Sequence, residues 1–183
     1  LLFSMITLWI VRNMNPRKVD KYFRKLQLLS AAVYSLSHGS NDAQKTIGII
    51  TIVLFTNNML GETFYVPFWV IIISHSVIAL GTLFGGWKVI KTLGMRVTKL
   101  TPFGGFSAET AAGLTIIGAT LGGIPVSTTH TITGAIIGVG SIKGFSAVRW
   151  GVAKNILWAW VLTIPLSAFF AMLTYLIATG IFN

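Results

Sequence analysis

The feature that most constrains this chain is a series of long apolar segments separated by short basic clusters. The apolar segments cover residues 26–55, 66–84, 106–140 and 155–182. Only 10% of the 183 residues are charged, whereas an average soluble domain carries about 25%. Because a helix needs about 20 apolar residues to cross the hydrocarbon core of a bilayer, the pattern predicts an all-α integral membrane protein.

The basic residues determine which partners and which compartment the sequence predicts. The net charge of +10 comes from clusters of Lys and Arg that flank the apolar segments. Such clusters are typical of the cytoplasmic loops of membrane proteins. We therefore expect a multi-pass protein of the cell membrane, surrounded by the lipid bilayer, and no binding to nucleic acid. The chain has no cysteine, which excludes disulfides and thiolate metal sites.

The segments predict an order of structural units along the chain. Residues 1–25 are predicted to be the end of a truncated helix followed by a basic cytoplasmic loop. Residues 26–183 are predicted to be one membrane-embedded unit. We expect this unit to contain a broken helix (26–55), a span (66–85), a re-entrant helical hairpin (106–140) and a last span (155–182). Two short full spans in place of the hairpin would give the same positions for the charges.

The first polar interruption, residues 38–45, lies inside an apolar segment. An Asp at mid-membrane costs about 2.5–3.5 kcal/mol on insertion scales, so such a residue usually has a functional partner. We predict that the helix unwinds here and that freed carbonyls bind a cation together with a carboxylate. The predicted cation-coupling residues are Ser40, Asn41 and Asp42. The alternative is a simple kink, in which Ser40 and Asn41 bond neighbouring backbone.

The second polar interruption, residues 122–131, joins the two arms of the predicted hairpin. Pro125 fixes the backbone just before a helix start, and three hydroxyls follow it where backbone N–H groups are unpaired. Such a helix N-terminus binds oxyanions through its dipole and its donors. The predicted oxyanion-binding residues are Ser127, Thr128 and Thr129. The alternative is an ordinary hydroxyl-capped turn.

Four further polar residues are candidates for gating or coupling. Glu109 either faces a water-filled vestibule or extends to the membrane interface. Lys45 lies one helical turn after Asp42 and either pairs with it or reaches an anion. The candidates are Glu109, His130, Gln44 and Lys45.

At the two interruptions the sequence resembles the PiT family of inorganic phosphate transporters. The segment His38-Gly39-Ser40-Asn41-Asp42 matches the family's Gly-Ala-Asn-Asp core, with Ser40 in place of Ala. The segment Pro125-Val126-Ser127-Thr128-Thr129-His130 matches a second family element without change. The resemblance covers roughly residues 30–170, with both motifs in the family's order.

This resemblance implies a fold and a distribution of roles. It implies that residues 26–183 are the C-terminal transport repeat, one half of an inverted-repeat transporter. It places phosphate near Ser127, Thr128 and Thr129 and a coupling cation near Asn41 and Asp42. A missing N-terminal half would supply the rest of the site, and the oligomeric state, a homodimer included, stays open. A sodium ion is the only bound cofactor that we consider. Lys45 departs from the family pattern, and because its positive charge would compete with a bound cation, proton coupling stays open.

The sequence therefore predicts symport of inorganic phosphate with sodium or a proton. A sulfate or metal–phosphate permease of the same fold is an alternative, because hydroxyls and a helix terminus do not by themselves distinguish oxyanions of different charge. An intramembrane hydrolase using Asp42, Glu109, His130 and Ser127 ranks lower, because neither His-Glu-x-x-His nor Gly-x-Ser-x-Gly occurs. We predict no enzymatic activity.

Overall fold

The structure is a computed structural model that describes residues 1–182, with side chains described up to residue 180. Within that range every regular element is helical, as the sequence predicts. A π-helical turn, Thr92–Val97, continues α3, and a 3-10 turn, Phe145–Ala147, follows α5. The last residue of the predicted repeat, Asn183, lies outside the described residues. The helices are α1 (Leu2–Val11), α2 (Pro16–Thr56), α3 (Phe68–Lys91), α4 (Pro102–Leu121), α5 (Thr128–Ile142) and α6 (Trp150–Phe182).

The α2 helix is continuous through the segment where the sequence predicts an unwound centre. All of its 41 residues, including 38–45, are α-helical, so the prediction of a broken helix at 26–55 is wrong. The physical reason is that Asn41 and Asp42 find hydrogen-bond partners on another part of the chain. The helix therefore does not need to unwind to give these polar groups hydrogen-bond partners.

The α2 helix also begins earlier than the sequence predicts. Pro16 occupies its first turn, and the Asn15 side chain accepts a hydrogen bond of 3.0 Å from the N–H of Arg17. One turn further on, Arg24 pairs with Asp20 at 3.0 Å. Most of the predicted basic loop is therefore helical, and only residues 12–15 separate α1 from α2.

The span predicted for residues 66–85 is longer in the structure. The α3 helix passes through Gly85-Gly86 to Lys91, and the π-helical turn carries it to Val97. The segments Phe68–Val97 and Trp150–Gly180 are long and apolar enough to cross a membrane. Their large side chains are exposed, for example Phe84 at 85% and Ile164 at 78%. Apolar surface of this extent suits contact with lipid or with further protein.

The α4 helix packs in parallel along the N-terminal half of α2. Positions further along α2 contact positions further along α4, so both helices run in the same direction. The aromatic pair at the start has ring centroids 5.1 Å apart, and a glycine on α4 faces the α2 backbone at the end. In order along α2, the contacting pairs are Phe23 with Phe103, Gln27 with Gly105, Ser30 with Glu109 and Tyr34 with Gly113.

The α5 helix returns antiparallel to α4. A side chain added at Gly104, near the start of α4, would meet Val139, near the end of α5. Residues 122–127 connect the two helices, and Gly123 has a φ of +67°, which favours glycine. These six residues are called the hairpin tip below. Together α4, the tip and α5 form a helical hairpin.

Residues from Arg149 onward form a second compact unit. It consists of α6, which begins at Trp150 rather than at the predicted residue 155. Pro165 lies inside this helix and removes one backbone N–H from its hydrogen-bond ladder. Two residues earlier, the Thr163 hydroxyl donates to the carbonyl of Ala159 at 2.7 Å.

The C-terminal part of α5 packs closely against the segment that follows the π-helical turn. Thr98 is buried and donates a hydrogen bond of 3.1 Å to the carbonyl of Ala147. A Cβ at Gly140 would lie 2.9 Å from Val148 Cγ2 and 3.1 Å from Thr98 Oγ1. The absence of a side chain at Gly140 therefore lets these segments approach.

We expect Gly140→Ala to lower the thermal midpoint of the purified protein, because both contacted side chains are buried. Overpacking of this kind costs about 1–3 kcal/mol. Gly134→Ala, on the same helix, is the matched control, because a Cβ there meets no atom within 4 Å. Equal midpoints for the two variants would contradict the proposed close approach.

Candidate functional site

A stripe of polar side chains runs along one face of α2. Its members recur every three or four residues, which places them on the same side of the helix. The stripe faces α4 in its first part and the hairpin tip in its second part. The sequence singled out only the part from residue 38 onward, although the spacing would have revealed the rest. The stripe consists of Gln27, Ser30, Tyr34, His38, Asn41 and Lys45.

Asp42 lies beside this stripe and contacts the first residue of α5. The Thr128 hydroxyl is 3.2 Å from Asp42 Oδ2 and 3.4 Å from Oδ1. Lys45 Nζ lies 3.3 Å from Oδ1, and His38 Nδ1 lies 3.4 Å from Oδ2. Thr128 is 3% exposed, whereas a third of the Asp42 side chain is exposed. The carboxylate is therefore held at the N-terminus of α5 and is still reachable.

The backbone carbonyl of Val126, in the hairpin tip, accepts two hydrogen bonds from α2. Asn41 Nδ2 donates to it at 3.1 Å and Lys45 Nζ at 2.8 Å. Asn41 is buried, so this contact attaches the tip firmly to the centre of α2. The sequence predicted a free carbonyl next to Asp42 and assigned it to a break in α2. The structure supplies that carbonyl from the tip instead.

The N-terminus of α5 provides the donors that suit an oxyanion. Ser127 is the N-cap, and its hydroxyl accepts the N–H of His130 at 3.3 Å. The N–H groups of Thr128 and Thr129 belong to the first helical turn, where no intrahelical acceptor exists. Ser127 and Thr129 are exposed, whereas the Thr128 side chain is buried against Asp42. Thr128 therefore links the two parts of the site.

The structure does not bring every predicted residue into this site. Ser40 and Gln44 are exposed on α2 and lie outside the contacts of Asp42. His130 is exposed and takes part through its backbone N–H.

Glu109 belongs to a second cluster, where the Ser30 hydroxyl donates to its carboxylate at 2.6 Å. Ser30 and Asp42 are twelve residues apart, or about 18 Å along α2. Between the two clusters, Tyr34 stacks on His38 with ring centroids 6.0 Å apart. Within the described residues, no three His, Asp or Glu side chains are placed to hold a metal ion.

Comparison with known proteins gives a consistent result. Residues 5–171 match the model of a family described as the phosphate transporter family. A Rhizobium meliloti protein named "probable low-affinity inorganic phosphate transporter" is 56% identical over 97% of this chain and 53% of its own length. A Bacillus subtilis protein of the same name is 42% identical over 100% of this chain and 54% of its own length.

A solved structure also matches the fold. It is described as the sodium-dependent phosphate transporter, with a TM-score of 0.71 and 32% identity, over 88% of this chain and 42% of that one. The chain thus spans about half the length of the curated relatives that it matches.

We expect Thr128→Val to lower the thermal midpoint, because it removes the hydroxyl that donates to Asp42. A hydrogen bond to a charged group contributes about 1.5–3 kcal/mol. Thr129→Val is the matched control, since this side chain is exposed and its substitution should change the midpoint little. If the control is as unstable as Thr128→Val, the contact with Asp42 is not what stabilises the tip.

Proposed function

The chain belongs to the phosphate transporter family, and from this membership we propose that the protein containing it carries inorganic phosphate across the cell membrane in symport with a cation. The cation is sodium or a proton. The observation that supports this proposal best is the contact between Asp42 and Thr128. It places a carboxylate, which attracts cations, against the helix N-terminus, which attracts anions.

The geometry suggests how the two solutes are coupled. Phosphate binds at the start of α5, through the N–H groups of the first turn and the exposed hydroxyls of Ser127 and Thr129. The coupling cation, or a positive charge in its place, lies on the side of Asp42. Thr128 contacts Asp42 and also contributes its own N–H to the same helix start. A change in the positive charge beside Asp42 therefore alters the donors that α5 offers to phosphate, and phosphate binding alters the contacts of Asp42. Neutral donors also release phosphate more readily than a permanent ion pair would.

We further propose that the hairpin is re-entrant. The α4 helix begins beside the basic end of α2 and runs parallel to it, and the tip and the start of α5 reach α2 at Asn41 and Asp42. These residues lie at the middle of the apolar segment 26–55. A hairpin that enters from the basic, cytoplasmic side therefore turns back at mid-membrane, where transporter sites lie.

The proposed site is completed by a second half of the transporter. The relatives are about twice as long as this chain. Paired inverted halves place a site at their interface, so an inverted N-terminal half would add ligands from the opposite side. Because the relatives are named as transporters, we propose no hydrolase activity. Sulfate or a metal–phosphate complex would meet the same donors, so transport assays include both as competitors.

Asp42→Asn tests the proposed symport in the full-length protein, reconstituted into proteoliposomes under separately imposed sodium and proton gradients. We expect labelled phosphate uptake to fall at least about tenfold, because hydrogen bonds to a charged group are worth about 1.5–3 kcal/mol. Asp20→Asn is the matched control, since Asp20 is half-exposed and pairs only with Arg24 among the described residues. Absence of wild-type uptake under both gradients would overturn the proposed function.

The depth of the tip tests the re-entrant hairpin. A fluorophore on Leu121→Cys, at the exposed end of α4, should be quenched more strongly by lipids with a nitroxide deep in the acyl chain. Lys99→Cys, at the basic end, should be quenched more strongly by a nitroxide at the headgroup. Because this chain has no cysteine, each label is unique within it. Shallow quenching at Leu121 would instead support two short full spans.

A further inference from the structure

We propose that Lys45 is a tethered cation that occupies the place of a coupling cation beside Asp42, so that this half of the transporter binds no sodium ion there. The inference rests on the proposed function and specifies it. It gives a role to a residue that the sequence marks as a departure from the family pattern.

The ammonium group of Lys45 lies where a coupling cation would bind. Lys45 Nζ lies 2.8 Å from the Val126 carbonyl and 3.3 Å from Asp42 Oδ1. A backbone carbonyl and a carboxylate are the ligands that a coupling cation takes in transporters with interrupted helices. The ammonium therefore sits between the two oxygens that a sodium ion would need.

The contacts around Lys45 leave few acceptor positions for a further cation. A carbonyl oxygen has two lone pairs, and Val126 uses them for Asn41 and Lys45. Asp42 Oδ1 faces Lys45 and Asn41, and Oδ2 accepts the Thr128 hydroxyl. A sodium ion would have to displace Lys45 from the carbonyl before it could bind there.

The charge of the site also disfavours a further cation. Asp42 and Lys45 together have no net charge, and a neutral pair offers a further cation little attraction. The other acids of the chain are Asp20, which pairs with Arg24, Glu62 in the loop after α2, and Glu109 in the second cluster. None of the three contacts Asp42 in the described residues. The site is partly exposed, so sodium is excluded by occupancy and not by lack of access.

The test measures sodium binding through thermal stability, with the full-length protein purified in detergent in NaCl or in KCl of equal concentration. Lys45→Met removes the ammonium and keeps the length of the side chain. We expect NaCl to raise the midpoint of this variant by about 3 °C or more beyond any rise in the wild type. Lys88→Met, which removes the same charge at the basic end of α3, should respond as the wild type does.

Two further variants, Asp42→Asn combined with Lys45→Met and Asp42→Asn alone, decide whether a gained response to sodium arises at Asp42. Adding Asp42→Asn to Lys45→Met should abolish the gain, and persistence of the gain would overturn the inference. No gain in Lys45→Met would also overturn it. If Lys45→Met does not yield folded protein, Lys45→Gln replaces it. Independently of any Lys45 variant, a sodium-specific rise in the wild type that Asp42→Asn abolishes would show that sodium binds despite Lys45.

This readout is separate from transport. If the wild type takes up no phosphate, the proposed function fails, but the sodium response still decides the role of Lys45. If the wild type does transport, Lys45→Met should show phosphate uptake that depends more strongly on a sodium gradient than wild-type uptake does. Unchanged dependence on sodium in this variant would overturn the inference and leave the proposed function intact.

Discussion

The arrangement of the helices around the candidate site depends on the attachment of the hairpin tip to the middle of α2. One backbone carbonyl, that of Val126, accepts hydrogen bonds from Asn41 and Lys45, and the next-but-one residue, Thr128, donates to Asp42. A polar tip would be costly in an apolar environment without such partners. The same is true of the polar side chains on α2. Each segment therefore supplies the hydrogen-bond partners of the other, and either one alone would leave its polar groups unpaired in an apolar environment.

The parallel packing of α2 and α4 sets where this attachment occurs. The contacts from Phe23 to Tyr34 fix the register of the two helices, and the length of α4 then determines how far along α2 the tip lies. Gly105 and Gly113 allow the close approach that this register needs. The position of the candidate site is thus a consequence of packing far from it.

Much of this organisation could be predicted from the sequence, because apolar length and basic clusters are one-dimensional signals. The helical class, the two apolar spans and the polar segments at 38–45 and 122–131 all follow from them. The continuity of α2 could not be predicted in the same way. Whether Asn41 and Asp42 break a helix depends on whether partners are available elsewhere, and the partner is a carbonyl 85 residues away in the sequence. The separation of Glu109 from Asp42 likewise depends on helix register, which composition does not encode.

In the proposed membrane arrangement, the pair formed by Asp42 and Lys45 has a consequence for how α2 enters the bilayer during synthesis. The two residues are one turn apart on one helix, so their ion pair needs only that helix and does not require α5. We expect the nascent segment to insert with the charges of this pair already neutralised, without waiting for the hairpin. Biogenesis of the long helix would then be independent of the later element that completes the site.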